Sequence, residues 1–247
     1  MKLEEKHLGL GFLTPKTENS EEYEYEKFKN KQKLVRNEFE KCGYFGMPMV
    51  KKQHIDLRKI QPLSFTNAKL NDGKNAHKTI CFYTYDWKFD SVYDNPEKAF
   101  EKLEQYEYLI TPEFSTYKNM PLVLQAYSVF KNRWCGAFWQ SMGKKVIPTI
   151  TWGTPDSHDF CFTGVEQGAV VAVSTYKREH NKQGFMQGYN KMLEIIKPSA
   201  VVCYGDPFPE MQGNVVAIDP FDSDELIAKI GAEEYLRRKI AGELYPE

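Results

Sequence analysis

Ala169-Val170-Val171-Ala172-Val173-Ser174, then Lys182–Ile196, then Ala200-Val201-Val202-Cys203-Tyr204: this succession decides the fold. The first and last stretches are unbroken apolar runs rich in β-branched residues and short enough to be strands. The middle reads as a helix closed by Lys197-Pro198. A strand that is apolar on both faces is buried on both faces, as in a parallel sheet covered by helices.

The same alternation runs outward in both directions. Val215–Ile218 is a further strand, and residues 224–230 and 232–241 read as helices. Upstream, 146–152 is a strand in which Pro148, lacking an N–H, predicts an irregularity or an edge. Residues 121–142 read as a long apolar helix, with Pro121 near its first turn and Gly143 just past its end. Tyr108-Leu109-Ile110-Thr111 is a short strand, 95–106 a helix opened by Asn95-Pro96, and 79–85 a β-branched and aromatic strand. The expectation is an α/β fold with a mostly parallel sheet flanked by helices. An open doubly wound sheet and a barrel-like closure both satisfy the pattern.

Composition changes near residue 75, which predicts a helical N-terminal extension over 1–75 and an α/β domain over 76–247. Within the extension, 21–42 reads as one helix ended by Gly43. Tyr25, Phe28, Gln32, Val35 and Phe39 recur at three- and four-residue steps, and acidic residues precede basic ones, as the helix dipole favours. Residues 44–75 show no assignable pattern.

The totals exclude several classes. Net charge is −1 over 247 residues, so nothing pulls the whole chain toward nucleic acid or acidic lipid, and such binding needs a local patch. No stretch approaches the ~20 apolar residues of a membrane span. The charged start Met1-Lys2-Leu3-Glu4-Glu5-Lys6 predicts no secretory leader. Cys42, Cys81, Cys135, Cys161 and Cys203 are odd in number and widely spaced, which fits buried thiols in a cytoplasmic protein better than a disulfide framework or a zinc knuckle.

In parallel α/β folds chemistry gathers beyond the carboxyl ends of the strands. Nearly every predicted strand here is followed by a carboxylate or a hydroxyl: Asp86, Glu113 and Ser115, Asp156 and Asp159, Ser174 and Thr175, Asp206, Asp219 and Asp222. If they converge, Asp156 and Asp206 are candidate ligands of a divalent cation such as magnesium, which takes oxygen donors. His158, Asp159 and Glu113 are the candidate proton-transfer groups, and flanking carboxylates would favour protonated His158. Ser174, Thr175, Lys177 and Arg178 follow a strand and precede a helix, a setting that can hold a phosphate. Each has a bland counterpart, since Asp and Ser are also favoured in turns and caps. No Walker loop, dinucleotide fingerprint, nucleophile elbow or Cys-x-x-Cys pair occurs. Asn132-Arg133-Trp134 could stack bases, but at helical spacing such residues are more often core.

Several stretches together resemble a known family: Tyr108-Leu109-Ile110-Thr111-Pro112-Glu113-Phe114-Ser115, Asn119-Met120-Pro121-Leu122, Asn132-Arg133-Trp134, Val146-Ile147-Pro148-Thr149-Ile150-Thr151-Trp152, Phe160-Cys161-Phe162, Val171-Ala172-Val173-Ser174-Thr175 and Cys203-Tyr204-Gly205. The family is the domain of unknown function 4417, found in bacteria and their phages. The resemblance implies a cytosolic or mobile-element protein and carries no activity. It also implies a carboxylate at Glu113, where many members have Asp. Two functions remain in view. One is an enzyme, for example a metal-dependent hydrolase, acting on a phosphorylated small molecule, a nucleotide or a nucleic acid. The other is a phage or plasmid accessory protein that binds a host protein or nucleic acid without catalysis.

Overall fold

A computed structural model describes residues 39–176 and 178–218, together with Glu21, Gly231, Glu233, Glu234 and Arg237. The chain divides into two compact units, Met1–Glu40 and Lys41–Glu247. The second carries a short antiparallel hairpin, β1 (Lys41–Cys42) with β2 (Met47–Pro48), and two parallel sheets. The first sheet has the order β3-β4-β5-β6, with β3 at Pro62–Ser64, β4 at Thr79–Cys81, β5 at Tyr108–Ile110 and β6 at Lys145–Ile147. The second has the order β7-β8-β9, at Val170–Ser174, Ala200–Tyr204 and Val215–Ile218. Five helices intervene: α1 (Ser91–Asp94), α2 (Pro96–Leu103), α3 (Leu122–Ser141), α4 (His158–Cys161) and α5 (Lys182–Ile196).

The two sheets are one surface with a seam. After β6 the chain reaches Pro148, which has no N–H to give, and the regular ladder stops there. The Pro148 carbonyl still accepts from Ala172 N at 2.9 Å, Ile150 N donates to Ala172 O at 2.8 Å, and Thr149 pairs with Ala172 in parallel. Strand order therefore follows chain order from β3 to β9 without reversal. Parallel strands joined in chain order need crossovers, which are right-handed as a rule, and such a succession puts the helices on one side and curls the sheet toward a barrel.

Side chains confirm the curl. Cys81, Tyr108, Ile110, Ile147, Ala172, Val202, Tyr204 and Ile218 share one buried cluster, although they come from six successive strands. The Tyr83 and Tyr204 ring centroids lie 4.1 Å apart. Their strands are four positions apart, a separation of roughly 19 Å in a flat sheet. Of the two architectures the sequence left open, the barrel-like one is found. Alternate residues face outward: Val171, Val173, Val201 and Cys203 pack against Phe185, Tyr189, Met192 and Ile196, one stripe of α5. Segment 53–60 closes the amino end of the strands. Ile55 and Ile60 enter the interior cluster, Asp56 N donates to Tyr108 Oη at 3.3 Å, and Val146 N donates to Gln53 Oε1 at 2.8 Å.

Two expectations change. The helix expected over 21–42 does not reach its expected end, because Phe39 and Glu40 are not helical and Lys41–Cys42 pairs with Met47–Pro48. Gly43 and Gly46, with φ of 70° and 62°, supply the left-handed turn of that hairpin, not a helix stop. Residues 22–38, and most of the two helices expected after residue 223, lie outside the described residues. The composition break near residue 75 falls inside the sheet-forming chain, since β3 pairs Pro62 with Thr79 and Ser64 with Cys81.

Candidate functional site

The amino end of the barrel is plugged, so the opposite end is the one open to a ligand. A cavity of about 800 Å³ lies there, among the residues that follow β4, β5, β6 and β7. That volume is within the range of small-ligand sites. Its floor is aromatic: Tyr83 stacks on Tyr204, and Tyr176 meets Tyr204 edge-on at 6.2 Å. Trp152 forms a wall. Its ring lies against the backbone of α5 at Gly188, where an added Cβ would fall 2.2 Å from Trp152 Nε1. Phe185 and Phe162 flank the same ring.

Glu113 lines the cavity. It leaves β5 after Thr111 and Pro112, and both are clamped. Thr149 N donates to Thr111 Oγ1 and Thr149 Oγ1 donates to Thr111 O, each at 2.7 Å. Asn132 Nδ2 of α3 donates to Pro112 O at 2.7 Å. Beyond Glu113, Asp86 accepts from Ser115 N at 3.0 Å and from Ser115 Oγ at 2.9 Å. The carboxylate thus stands on a short segment fixed at both ends. Its side chain keeps about 20% exposure and faces Arg178, 3.7 Å away. Burial pushes its pKa from 4.5 up to about 7. The Arg178 guanidinium pulls the other way, and Asp86 adds a smaller upward push. Tyr83 lies close by. Burial, then the Glu113 charge, raises its hydroxyl pKa well above the usual value. Thr149 is near that hydroxyl without meeting hydrogen-bond geometry, and no described residue partners it.

The remaining polar lining is basic or neutral. Arg178, Lys118, His180, Ser174 and Asn181 contribute, and Lys118 Nζ donates to Asn181 Oδ1. Among the described residues Glu113 is the one carboxylate lining the cavity.

The sequence candidates divide accordingly. Glu113, Ser174 and Arg178 are brought together on the cavity wall. Thr175 is buried, with its hydroxyl set toward Tyr204 O and Cys203 Sγ. Asp156, Asp159 and Asp206 are exposed and line no part of the cavity. Lys177, Asp219 and Asp222 lie outside the described residues. His158 is carried aside by the 3-10 turn Pro155–Ser157 and packs on Phe162 at 5.3 Å. Its pKa is lowered, not raised as its acidic neighbours predicted, because burial and the Lys191 cation outweigh Asp159. Among the described residues no three His, Cys, Asp or Glu side chains stand close enough to hold a metal ion. Strand reading missed Tyr83, although it shares the inward parity of Cys81 on β4. It also missed Lys118, on a turn, and His180 and Asn181, in the short 3-10 helix Glu179–Asn181, where no periodicity can show.

Asn132-Arg133-Trp134 is scaffold. Arg133 is buried, and its guanidinium donates to Thr163 O at 2.9 Å, Thr149 O at 3.0 Å and Cys161 O at 2.8 Å, as well as to Asn132 Oδ1. Burial lowers its pKa to about 10. Trp134 is core, stacked on Phe138.

Fold and site define a barrel-like α/β protein with a ligand-sized cavity at the carboxyl ends of its strands. The chain belongs to the family described as "Domain of unknown function (DUF4417)", which matches residues 39–222. It is 37% identical over 127 residues to the "Gene 1 protein" of Mycobacterium phage L5, an alignment covering 50% of this chain and 56% of that protein. It is 36% identical over 127 residues to the "Gene 1 protein" of Mycobacterium phage D29, covering 50% and 47%. The chain spans about half the length of the curated relatives it matches. No solved structure matches. No described helix is long and apolar enough to cross a membrane.

Proposed function

We propose that this protein is an enzyme acting on a phosphorylated small molecule, nucleotide or nucleic acid, with Glu113 as its proton-transfer group. The observation that carries this reading is a carboxyl with a pKa of about 7, inside a cavity, facing a cation. A general acid–base works best when its pKa is near the working pH, and burial is how a fold tunes a carboxyl there. Arg178 and Ser174 supply the donors for a phosphate, since a guanidinium holds phosphate oxygens in pairs. A cytoplasmic, mobile-element setting belongs to the same reading. It is supported by five cysteines without a disulfide framework, four of them buried, and by the phage relatives.

A thermal-shift panel tests it: nucleotides, sugar phosphates and short single-stranded DNA, with and without Mg²⁺. A ligand at ~100 times its dissociation constant adds ~2.7 kcal/mol. The expected result is a shift from a phosphorylated compound that disappears in Arg178→Ala. A shift that survives Arg178→Ala, or a flat panel, overturns the reading. A flat panel favours instead a binding protein that docks through the exposed apolar start of α3, at Leu122, Val123, Leu124 and Tyr127.

A further inference from the structure

Exposed aromatic residues stand at the rim of the cavity. Tyr85 lines the cavity and is 68% exposed, and Trp87 beside it is 73% exposed. Their rings are within 10° of parallel with centroids 6.4 Å apart, an offset stack that leaves both rings largely exposed. Lys88 Nζ stands 5.7 and 5.4 Å from the two centroids. Tyr117, 64% exposed, lines the same cavity. None of these three aromatic residues is held in the core. Lys118, Arg178 and His180 line the cavity, against the single carboxylate of Glu113 among the described residues.

We infer that the ligand is a single-stranded nucleic acid, with one nucleotide in the cavity and a neighbouring base stacked on the exposed Tyr85–Trp87 pair. The inference rests on the proposed reading of the cavity and names its substrate class. A free nucleotide would use the cavity alone and leave the aromatic pair idle. A strand presents further bases, and any base stacks on an aromatic face while cations follow its phosphates. A duplex is disfavoured because its paired, stacked bases offer no free face. Sugars stack on aromatic rings as well, but they give Arg178, Lys118 and Lys88 no repeating anion to meet.

The test is fluorescence anisotropy of the full chain with labelled oligo(dT) and oligo(rU) of about twelve nucleotides, a length within single-strand site sizes. Saturable binding is expected, weakening as salt rises and stronger than to a duplex of equal length. Trp87→Ala and Tyr85→Ala, both surface changes verified by unchanged melting, should each weaken it about tenfold. Binding unaffected by Trp87→Ala, equal affinity for duplex, or mononucleotide competing as well as the strand would each overturn the inference. The two proposals fail separately. A strand that binds a protein whose Glu113 does not titrate near neutrality removes the acid–base reading alone. A titrating Glu113 without strand binding removes this one alone.

Discussion

Glu113→Gln tests the pKa on which the site reading depends. An acid whose folded-state pKa lies above its unfolded value holds its proton more tightly when folded. Its contribution to stability is therefore complete below the unfolded pKa of about 4.5, and it falls as pH rises. It is lost once pH passes the folded pKa of about 7. The full loss is about 3 kcal/mol at 1.36 kcal/mol per unit. The side chain's 20% exposure trims that to about 2–3 kcal/mol. Glutamine keeps the shape, cannot ionise, and stands in for the protonated form. Arg178, 42% exposed, loses a partner at a cost below about 1 kcal/mol. The variant should match the wild type at pH 4.5 and melt roughly 5–10 °C higher at pH 8, with the difference growing between those limits. The assay is paired thermal melts across that range. Taking the difference cancels every group the two proteins share. A difference that is flat with pH, or a wild type that is the more stable at pH 8, would refute the reasoning, because Arg178 would then have outweighed burial.

Two further predictions probe how the cavity is built. Gly188→Ala places a methyl within 2.2 Å of the Trp152 ring, which Phe162 and Phe185 keep from retreating. It should cost about 1–3 kcal/mol in a denaturant melt and change the tryptophan emission. Asn132→Ala leaves the buried Pro112 carbonyl without its 2.7 Å donor and should cost about 1–3 kcal/mol. Because that bond fixes the residue before Glu113, the Glu113 carboxyl titration followed by ¹³C NMR should also shift its midpoint, which damage to stability alone would not do.

What was legible in the sequence follows burial. α5, β8 and β9 have the expected bounds: β8 is an apolar run buried throughout, α5 shows one apolar stripe at helical spacing, and β9 is a short β-branched run between polar turns. β3 was invisible: three residues beginning with proline become a strand only by pairing with β4, a contact that no local pattern announces. The seam at Pro148 was foreseen as an irregularity, but its repair through Ala172 depends on a strand more than twenty residues later. Among site residues, Glu113 was reachable because the strand-exit rule concerns position. Exit position does not say which way a side chain turns, however. A single 3-10 turn takes His158 to Phe162, and one residue of parity separates Ser174 on the wall from Thr175 in the core. Trp87 follows the same first strand exit as Asp86, whereas Tyr85 was hidden for the opposite reason, because an exposed residue carries no periodic signal.

Arg133 and Glu113 show how the fold treats two buried charges differently. Burying an ion costs several kcal/mol unless the protein replaces its water. Arg133 has that replacement, with three backbone carbonyls and the Asn132 amide oxygen around its guanidinium. Those bonds tie α3 to the turns after β6 and α4, a structural task completed within the protein. Glu113 has one cation at 3.7 Å and, beyond it, open cavity, so its charged form is held poorly and its proton is held well. The Asn132 and Asp86 hydrogen bonds on either side fix its backbone without solvating its carboxylate. By the same reasoning, a fold optimised only for stability at neutral pH would favour an uncharged side chain such as glutamine at this position. A carboxyl kept under-solvated at the open end of a barrel is a cost that proton transfer to a bound ligand would explain, and the core packing offers no other use for it.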